Sequence, residues 1–376
     1  MDKMKIMQVI GGLGMGGAEN LVTNYCINLD KETNDVTLLC VVNMHSVYDK
    51  KLQEEGIHVI YINDIIDRWI KAPVLIRKFF HFALRPFLFR RIIKSIKPDV
   101  IHLHAGLSVY VALSAPLKST GIYMTIHTDP ARWFRQNGIV EKKAIKWLSK
   151  HYKTKIIALH KEMVEPLKKH LGKDTDIRIF MNGIELDRFR IKESRDELRQ
   201  KYGISPGKII IGHVGRFAEV KNHFFLIEVF NHFQRLCPET ELWLVGDGAL
   251  RKACEEKLDG YGILEKTVFW GNRTDIAQLV KMMDLFVFPS FVEGLSITVI
   301  EAQAVETPIL ASDKVSKETV ISNLIDFKSL GDGAYSWAEK AKEIIGNPKE
   351  SVYYDLARID IKSIVRDVEA MYRDEE

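Results

Sequence analysis

Residues 284–302 read DLFVFPSFVEGLSITVIEA. Leu285–Phe288 is a four-residue apolar run, the length and composition of a strand covered on both faces. Pro289 and Gly294 break it, and Ile297–Ala302 resumes as a helix. Strand, glycine-containing loop and helix form the repeating unit of a parallel α/β sheet. Working outward, the same unit recurs. Thr267–Trp270, Leu242–Val245 and Ile209–Val214 precede it, and Ile309–Ala311 follows it. Further back, apolar runs stand at residues 5–10, Val36–Val42, Val59–Ile62, Val100–Leu103, Tyr123–Ile126 and Ile156–Leu159. A helix from about Ala18 places Leu21, Val22, Tyr25, Cys26 and Leu29 on one face. The pattern predicts an α/β chain of two Rossmann-like, doubly wound parallel-sheet domains, joined between about Phe180 and Lys208. The expected boundaries are 1–185 and 186–350, with 351–376 a C-terminal helix returning to the first domain.

The 376 residues suffice for two such domains, and 46% hydrophobic with 28% charged residues is an ordinary globular balance. A net charge of +4 is too small to point to nucleic acid. Cys26, Cys40, Cys237 and Cys254 form no CxxC pair, so buried reduced thiols in a cytoplasmic setting are expected. The apolar run in MDKMKIMQVIGG is too short for a signal peptide, and no stretch is long and apolar enough to span a bilayer.

The chemistry gathers after the strands. Gly12, Gly14 and Gly17 spell GxGxxG, the nominal dinucleotide fingerprint. The second strand ends Val41-Val42-Asn43-Met44 without the acid that would hold a ribose, which argues against nicotinamide or flavin. Either a phosphorylated ligand lies against Gly16 and Gly17 or the loop is only a tight turn. In the second half, Gly215-Arg216-Phe217 is followed by Lys221-Asn222. A fork-shaped cation and a point cation at one strand end suit a pyrophosphate. Gly246-Asp247-Gly248 closes the next strand. After Pro289, the amides near Leu295–Thr298 open a helix and would point at an anion. Glu293 precedes that helix start and Glu301 lies within the helix.

Taken together these residues resemble the retaining glycosyltransferases of family 4, which have the GT-B fold of two domains facing across a cleft. The family hallmark, two glutamates separated by seven residues, is matched by Glu293 and Glu301. The similarity runs through GGLGMGGAEN, IHT at 126–128, NGIELDRF at 182–189, GRFAEVKNH at 215–223, LVGDG at 244–248 and the opening stretch. Its closest flavour is the exopolysaccharide and capsule branch. The resemblance implies that Arg216 and Lys221 neutralise a donor diphosphate, that Glu301 holds ribose hydroxyls, and that Glu293 lies beside the transferred sugar. It also implies that Gly294 and the amides of Leu295 and Ser296 meet phosphate, and that Gly16 and Gly17 make room for donor and acceptor. Gly246 and Asp247 would border the donor, Trp270 and Gly271 would edge the base, and His127 would face the sugar as a catalytic group. Ser296 departs from the glycine often found there, and Phe180-Met181-Asn182 lacks the usual proline.

His102 and His104 share one strand face in IHLH and read as satisfied polar groups. Asp174-Thr175-Asp176 resembles a metal-binding DxD but reads as a solvated turn, so no catalytic metal and no cofactor are expected. The expected partners are a nucleotide-sugar donor, UDP-linked, and a glycan acceptor, lipid-linked. Residues 68–97 hold nine Lys or Arg, six aromatic rings and no Asp or Glu. That composition suits a helix lying on an anionic membrane, with Arg77, Lys78, Arg85, Arg90, Arg91 and Lys94 as contacts and Pro86 interrupting it. The rival is an ordinary solvated helix. Two other functions remain open on sequence, a UDP-sugar 2-epimerase of the same fold and a non-enzymatic membrane or polyanion adaptor.

Overall fold

The computed structural model describes residues 2–14, 16–104, 106–354 and 356–375. It divides the chain into two compact units, Met1–Gly183 with Ile361–Glu376, and Ile184–Asp360. The first unit holds a parallel seven-stranded sheet built from β1 (Met4–Gly12), β2 (Asn34–Val42), β3 (His58–Tyr61), β4 (Val100–His104), β5 (Gly121–Thr125), β6 (Thr154–Ala158) and β7 (Ile177–Ile179). Their order is β3-β2-β1-β4-β5-β6-β7. The second unit holds β8 (Ile209–Val214), β9 (Thr240–Val245), β10 (Thr267–Gly271), β11 (Leu285–Phe288), β12 (Ile309–Ser312) and β13 (Ile325–Lys328), ordered β10-β9-β8-β11-β12-β13. In both sheets the order reverses beside the first strand, between β1 and β4 and between β8 and β11. Ligands of doubly wound sheets bind beyond strand carboxyl ends at such a switch point. The fold is the two-fold Rossmann-like α/β architecture expected from the strand–helix alternation.

β11 is apolar throughout, as suits a central strand covered on both faces. Leu285, Phe286, Val287 and Phe288 of β11 are all fully buried. Two edge strands, β7 and β13, were not among the predicted ones. Their residues are only partly buried, so they carry no continuous apolar run. Residues 351–360 also differ from the boundary read in sequence, since they belong to the second unit. Tyr353 pairs with Ser322 and donates its hydroxyl to the Gln303 carbonyl, and Arg358 donates to the carbonyls of Glu318 and Val320. Only the helix Ile361–Arg373 packs on the first unit, burying Ile361, Ile364, Val365, Val368, Met371 and Tyr372.

Pro86 does not interrupt its helix, which runs unbroken from Val74 to Ile96. The carbonyl that a proline leaves without a donor belongs to Phe82, an exposed position, where solvent can satisfy it. This helix is held by Leu88, Phe89 and Ile93, which are buried, whereas Leu75, Phe79 and Phe82 are 81%, 66% and 75% exposed. In its first half Phe80 and Leu84 pack against the core, and the stripe of Leu75, Phe79 and Phe82 does not. Arg77 pairs with Asp67 at 3.5 Å, and Arg85 donates to Asn63 at 3.1 Å, both on the helix Ile62–Trp69. Those two cations turn toward a neighbour; Lys78, Arg90, Arg91 and Lys94 are the exposed ones.

Candidate active site

Two loops of the second unit are knitted together where β8 and β11 end. Asn222 adopts a left-handed conformation (φ 55°), which its short polar side chain tolerates, and donates to the Pro289 carbonyl at 3.1 Å. The Phe291 amide donates to the Val220 carbonyl at 2.9 Å. Glu293 is fixed through its backbone: its amide donates to the Lys314 carbonyl, and its carbonyl accepts from Ser316. The segment after β12 thus holds the glutamate, a role that nothing in the local sequence signals.

This framework brings Lys221 and Glu293 together, with Nζ 2.7 Å from Oε1 and both side chains mostly buried. The Lys221 ammonium also lies 4.7 Å from the centre of the Phe288 ring, a cation–π contact that helps hold it in place. Arg216, one turn earlier, is exposed and makes no ion pair among the described residues. Behind Lys221, His213 donates from Nδ1 to the Val287 carbonyl at 2.9 Å, and His223 stacks on Phe217. Burial and the Lys221 charge hold the His223 imidazole down at about 4, so it is neutral.

Eight residues after Glu293, Glu301 projects from the helix Ile297–Ala304. Its residue keeps a partly exposed edge, but burial pushes the carboxyl up to about 7, while the charge of Arg188 pulls the other way. Arg188 belongs to the NGIELDRF stretch, and sequence reasoning had no role for it. Ser296 caps this helix by position but not by side chain, since its hydroxyl meets Thr298 Oγ1 at 3.3 Å instead. The first-turn amides keep their donors free of intrahelical acceptors, as at every helix start. Gly294 and Leu295 complete the loop and are partly buried.

The Gly-Asp-Gly turn has a packing explanation. A Cβ on Gly246 (φ 127°) would lie 2.2 Å from the Gly215 carbonyl oxygen, and one on Gly248 would lie 2.6 Å from that of Phe217. Asp247 is exposed, its carbonyl accepting from Phe217 and its carboxylate from the Gly248 amide. Gly271 accepts from the Gly246 amide. Trp270 packs edge-on against Trp243 under the Arg273 guanidinium, and its buried indole N–H has no acceptor among the described residues.

In the first unit, Gly16 precedes the helix Gly17–Asn28. A Cβ on Gly17 would meet nothing within 4 Å, whereas one on Gly16 would strike the Glu19 carboxylate. His127 follows β5, and its Nε2 bonds His104 Nδ1 at 3.1 Å. Burial lowers the His127 imidazole to about 4. Asp176 accepts from Arg178 in the loop before β7, an ordinary turn contact. Among the described residues no group of three or more His, Cys, Asp or Glu has the arrangement to hold a metal ion.

Residues 15–188 match the family model described as Glycosyltransferase Family 4, and residues 194–351 match that of Glycosyl transferases group 1. The chain belongs to the family 4 glycosyltransferases. This enzyme is 27% identical over 350 residues to EpsF of Bacillus subtilis (strain 168), spanning 90% of this chain and 87% of that one. It is 25% identical over 309 residues to the Escherichia coli UDP-Gal:alpha-D-GlcNAc-diphosphoundecaprenol alpha-1,3-galactosyltransferase, spanning 79% and 76%. The crystal structure of Anabaena HepE in complex with UDP and glucose shares its fold, with a TM-score of 0.71 at 17% identity over 98% of this chain and 95% of that one. The GT-B architecture follows, and the epimerase and adaptor alternatives fall away.

Proposed function

We propose that this glycosyltransferase moves a hexose from a UDP-sugar to a lipid-linked polysaccharide precursor, with retention and without a metal. The observation that carries the reading is the Lys221–Glu293 pair on the loop before the helix Ile297–Ala304, with the desolvated Glu301 carboxyl in that same helix. That arrangement offers a cation and helix amides to a diphosphate and two carboxylates to sugar hydroxyls. Arg216 and Lys221 stabilise the charge that develops as the bond from the anomeric carbon to the diphosphate oxygen breaks. The acceptor oxygen bonds to that carbon on the same face, and its proton passes to the departing phosphate. Glu293 orients the sugar and Glu301 takes the ribose, and the family resemblance gives His127 the role of a sugar-facing group. The donor and the lipid diphosphate acceptor in the name of the Escherichia coli relative support this choice, as do the UDP and glucose bound by HepE.

The acceptor reading places the helix Val74–Ile96 on an anionic membrane through Leu75, Phe79, Phe82 and the exposed cations. No helix among the described residues is long and apolar enough to cross one. The test is product analysis with UDP-hexoses and a diphosphate-lipid acceptor in excess EDTA. An α-linked product from an α-linked donor at full rate is expected. An inverted product removes the retaining mechanism, and activity restored only by Mn²⁺ or Mg²⁺ removes the metal-free one.

A further inference from the structure

Behind His127 the first unit carries a file of buried polar side chains that the transfer chemistry does not use. Gln8 on β1, His102 and His104 on β4, and Thr125 on β5 are fully inaccessible, and Tyr372, from the C-terminal helix, is 6% exposed. Six polar groups in a row inside an apolar core are costly unless every one is paired in order. They are linked end to end. His127 Nε2 meets His104 Nδ1 at 3.1 Å, and His104 Nε2 meets Gln8 Oε1 at 2.8 Å. Gln8 Nε2 donates to Tyr372 Oη at 3.3 Å, Tyr372 Oη meets His102 Nδ1 at 2.5 Å, and His102 Nε2 meets Thr125 Oγ1 at 2.7 Å.

The proton order follows from the donors and acceptors. Gln8 Oε1 can only accept, so His104 carries its proton on Nε2. A neutral His104 then offers a lone pair at Nδ1, and the proton in the next bond belongs to His127 Nε2. Burial holds all three imidazoles below the usual histidine range, so the neutral forms apply. His127 Nδ1 is left as a bare acceptor, buried and without a hydrogen-bond partner among the described residues. Turning the Gln8 amide over reverses every bond and would put an N–H on that same buried nitrogen. An orphaned buried donor is the rarer and costlier arrangement.

We propose that Tyr372, Gln8 and His104 are positioning residues that hold His127 as its Nε2–H tautomer, with Nδ1 presented as a hydrogen-bond acceptor. The partner of Nδ1 must then bring a proton. It is a sugar hydroxyl and not a phosphate oxygen, which has none to give. This last step rests on the reading that His127 meets the donor sugar; the tautomer does not. The C-terminal helix, distant in sequence, thereby sets the state of a residue in the body of the unit.

The experiment is two-bond ¹H–¹⁵N correlation on the full chain labelled at histidine, with His127 assigned through His127→Gln. Wild type should show Nε2 protonated and Nδ1 bare at neutral pH; protonation at Nδ1 overturns the proposal. Tyr372→Phe should convert His127 into a tautomer mixture and lower kcat/KM about three- to ten-fold, the range expected of one neutral hydrogen bond. His104→Leu should do the same, and His104→Asn, which keeps an acceptor oxygen near the place of Nδ1, should recover most of the loss. An unchanged His127 spectrum in folded Tyr372→Phe and His104→Leu proteins overturns the relay. Undiminished turnover in His127→Ala overturns the sugar-facing role and the hydroxyl assignment, while the wild-type spectrum still decides the tautomer.

Discussion

A carboxyl that burial lifts to about 7 is half-protonated at neutral pH, and at Glu301 this sets binding against stability. The folded pKa lies above the unfolded one, near 4.5, so the folded state binds the extra proton between those values. That stabilisation is present below pH ~4.5 and lost as pH rises through 7. Glu301→Gln should therefore match wild type in urea melts at about pH 4.5 and exceed it at about pH 8 by at most ~3 kcal/mol. Its affinity for UDP should fall by about 1.5–3 kcal/mol at the higher pH, where the carboxylate would hold ribose hydroxyls. Parallel stability curves for the two proteins would show that the carboxyl is not desolvated. Arg216 and Lys221 separate by their surroundings. Arg216 is exposed, so Arg216→Ala should stay within about 0.5 kcal/mol of wild-type stability while turnover drops about 100-fold. Lys221→Ala should cost turnover and stability together, because Glu293 and the Phe288 ring lose their partner. Wild-type turnover in both variants would take the diphosphate away from these side chains.

At the scale of one element, the helix Val74–Ile96 has two halves with different tasks. Leu88, Phe89 and Ile93 tie it to the sheet, and Leu75, Phe79 and Phe82 stand in solvent. Each exposed cation adds about 1 kcal/mol near an anionic surface, within a Debye length, and the rings add apolar burial at the headgroup boundary. Liposome co-sedimentation should require anionic lipid and weaken with salt. Lys78→Glu/Arg90→Glu/Arg91→Glu/Lys94→Glu or Phe79→Ser/Phe82→Ser should abolish it without lowering Tm. Wild type that ignores anionic vesicles at low salt would make this an ordinary solvated helix. Periodicity and composition exposed the helix, its charge and its rings. They could not show that Arg77 and Arg85 turn to Asp67 and Asn63, because those partners lie on a different helix.

At the scale of the molecule, the first unit is built from two separated pieces of chain, and its last helix is part of its core. The six side chains it buries are each worth about 1.5–3 kcal/mol, together comparable to a typical domain's whole margin. A chain ending at Asp360 should lose the cooperative calorimetric transition of the first unit and keep that of the second. Two intact transitions in the shortened chain would show that the helix is an accessory. The alternation of apolar strands and amphipathic helices, and the glycines and charges after the strands, were legible in sequence alone, since burial and backbone freedom leave local marks. Glu293, Glu301, Arg216 and Lys221 stand out as charges after strands or at a helix start, and the roles proposed for them and for His127 come from the family resemblance. Their company was not legible there. The Lys221–Glu293 pair, the hold of the segment after β12 on Glu293, the edge strands β7 and β13, and the approach of Tyr372 to Gln8 are contacts between residues far apart along the chain. Such contacts leave no periodic trace in either partner, and only the packing of the sheets and helices brings them within bonding distance.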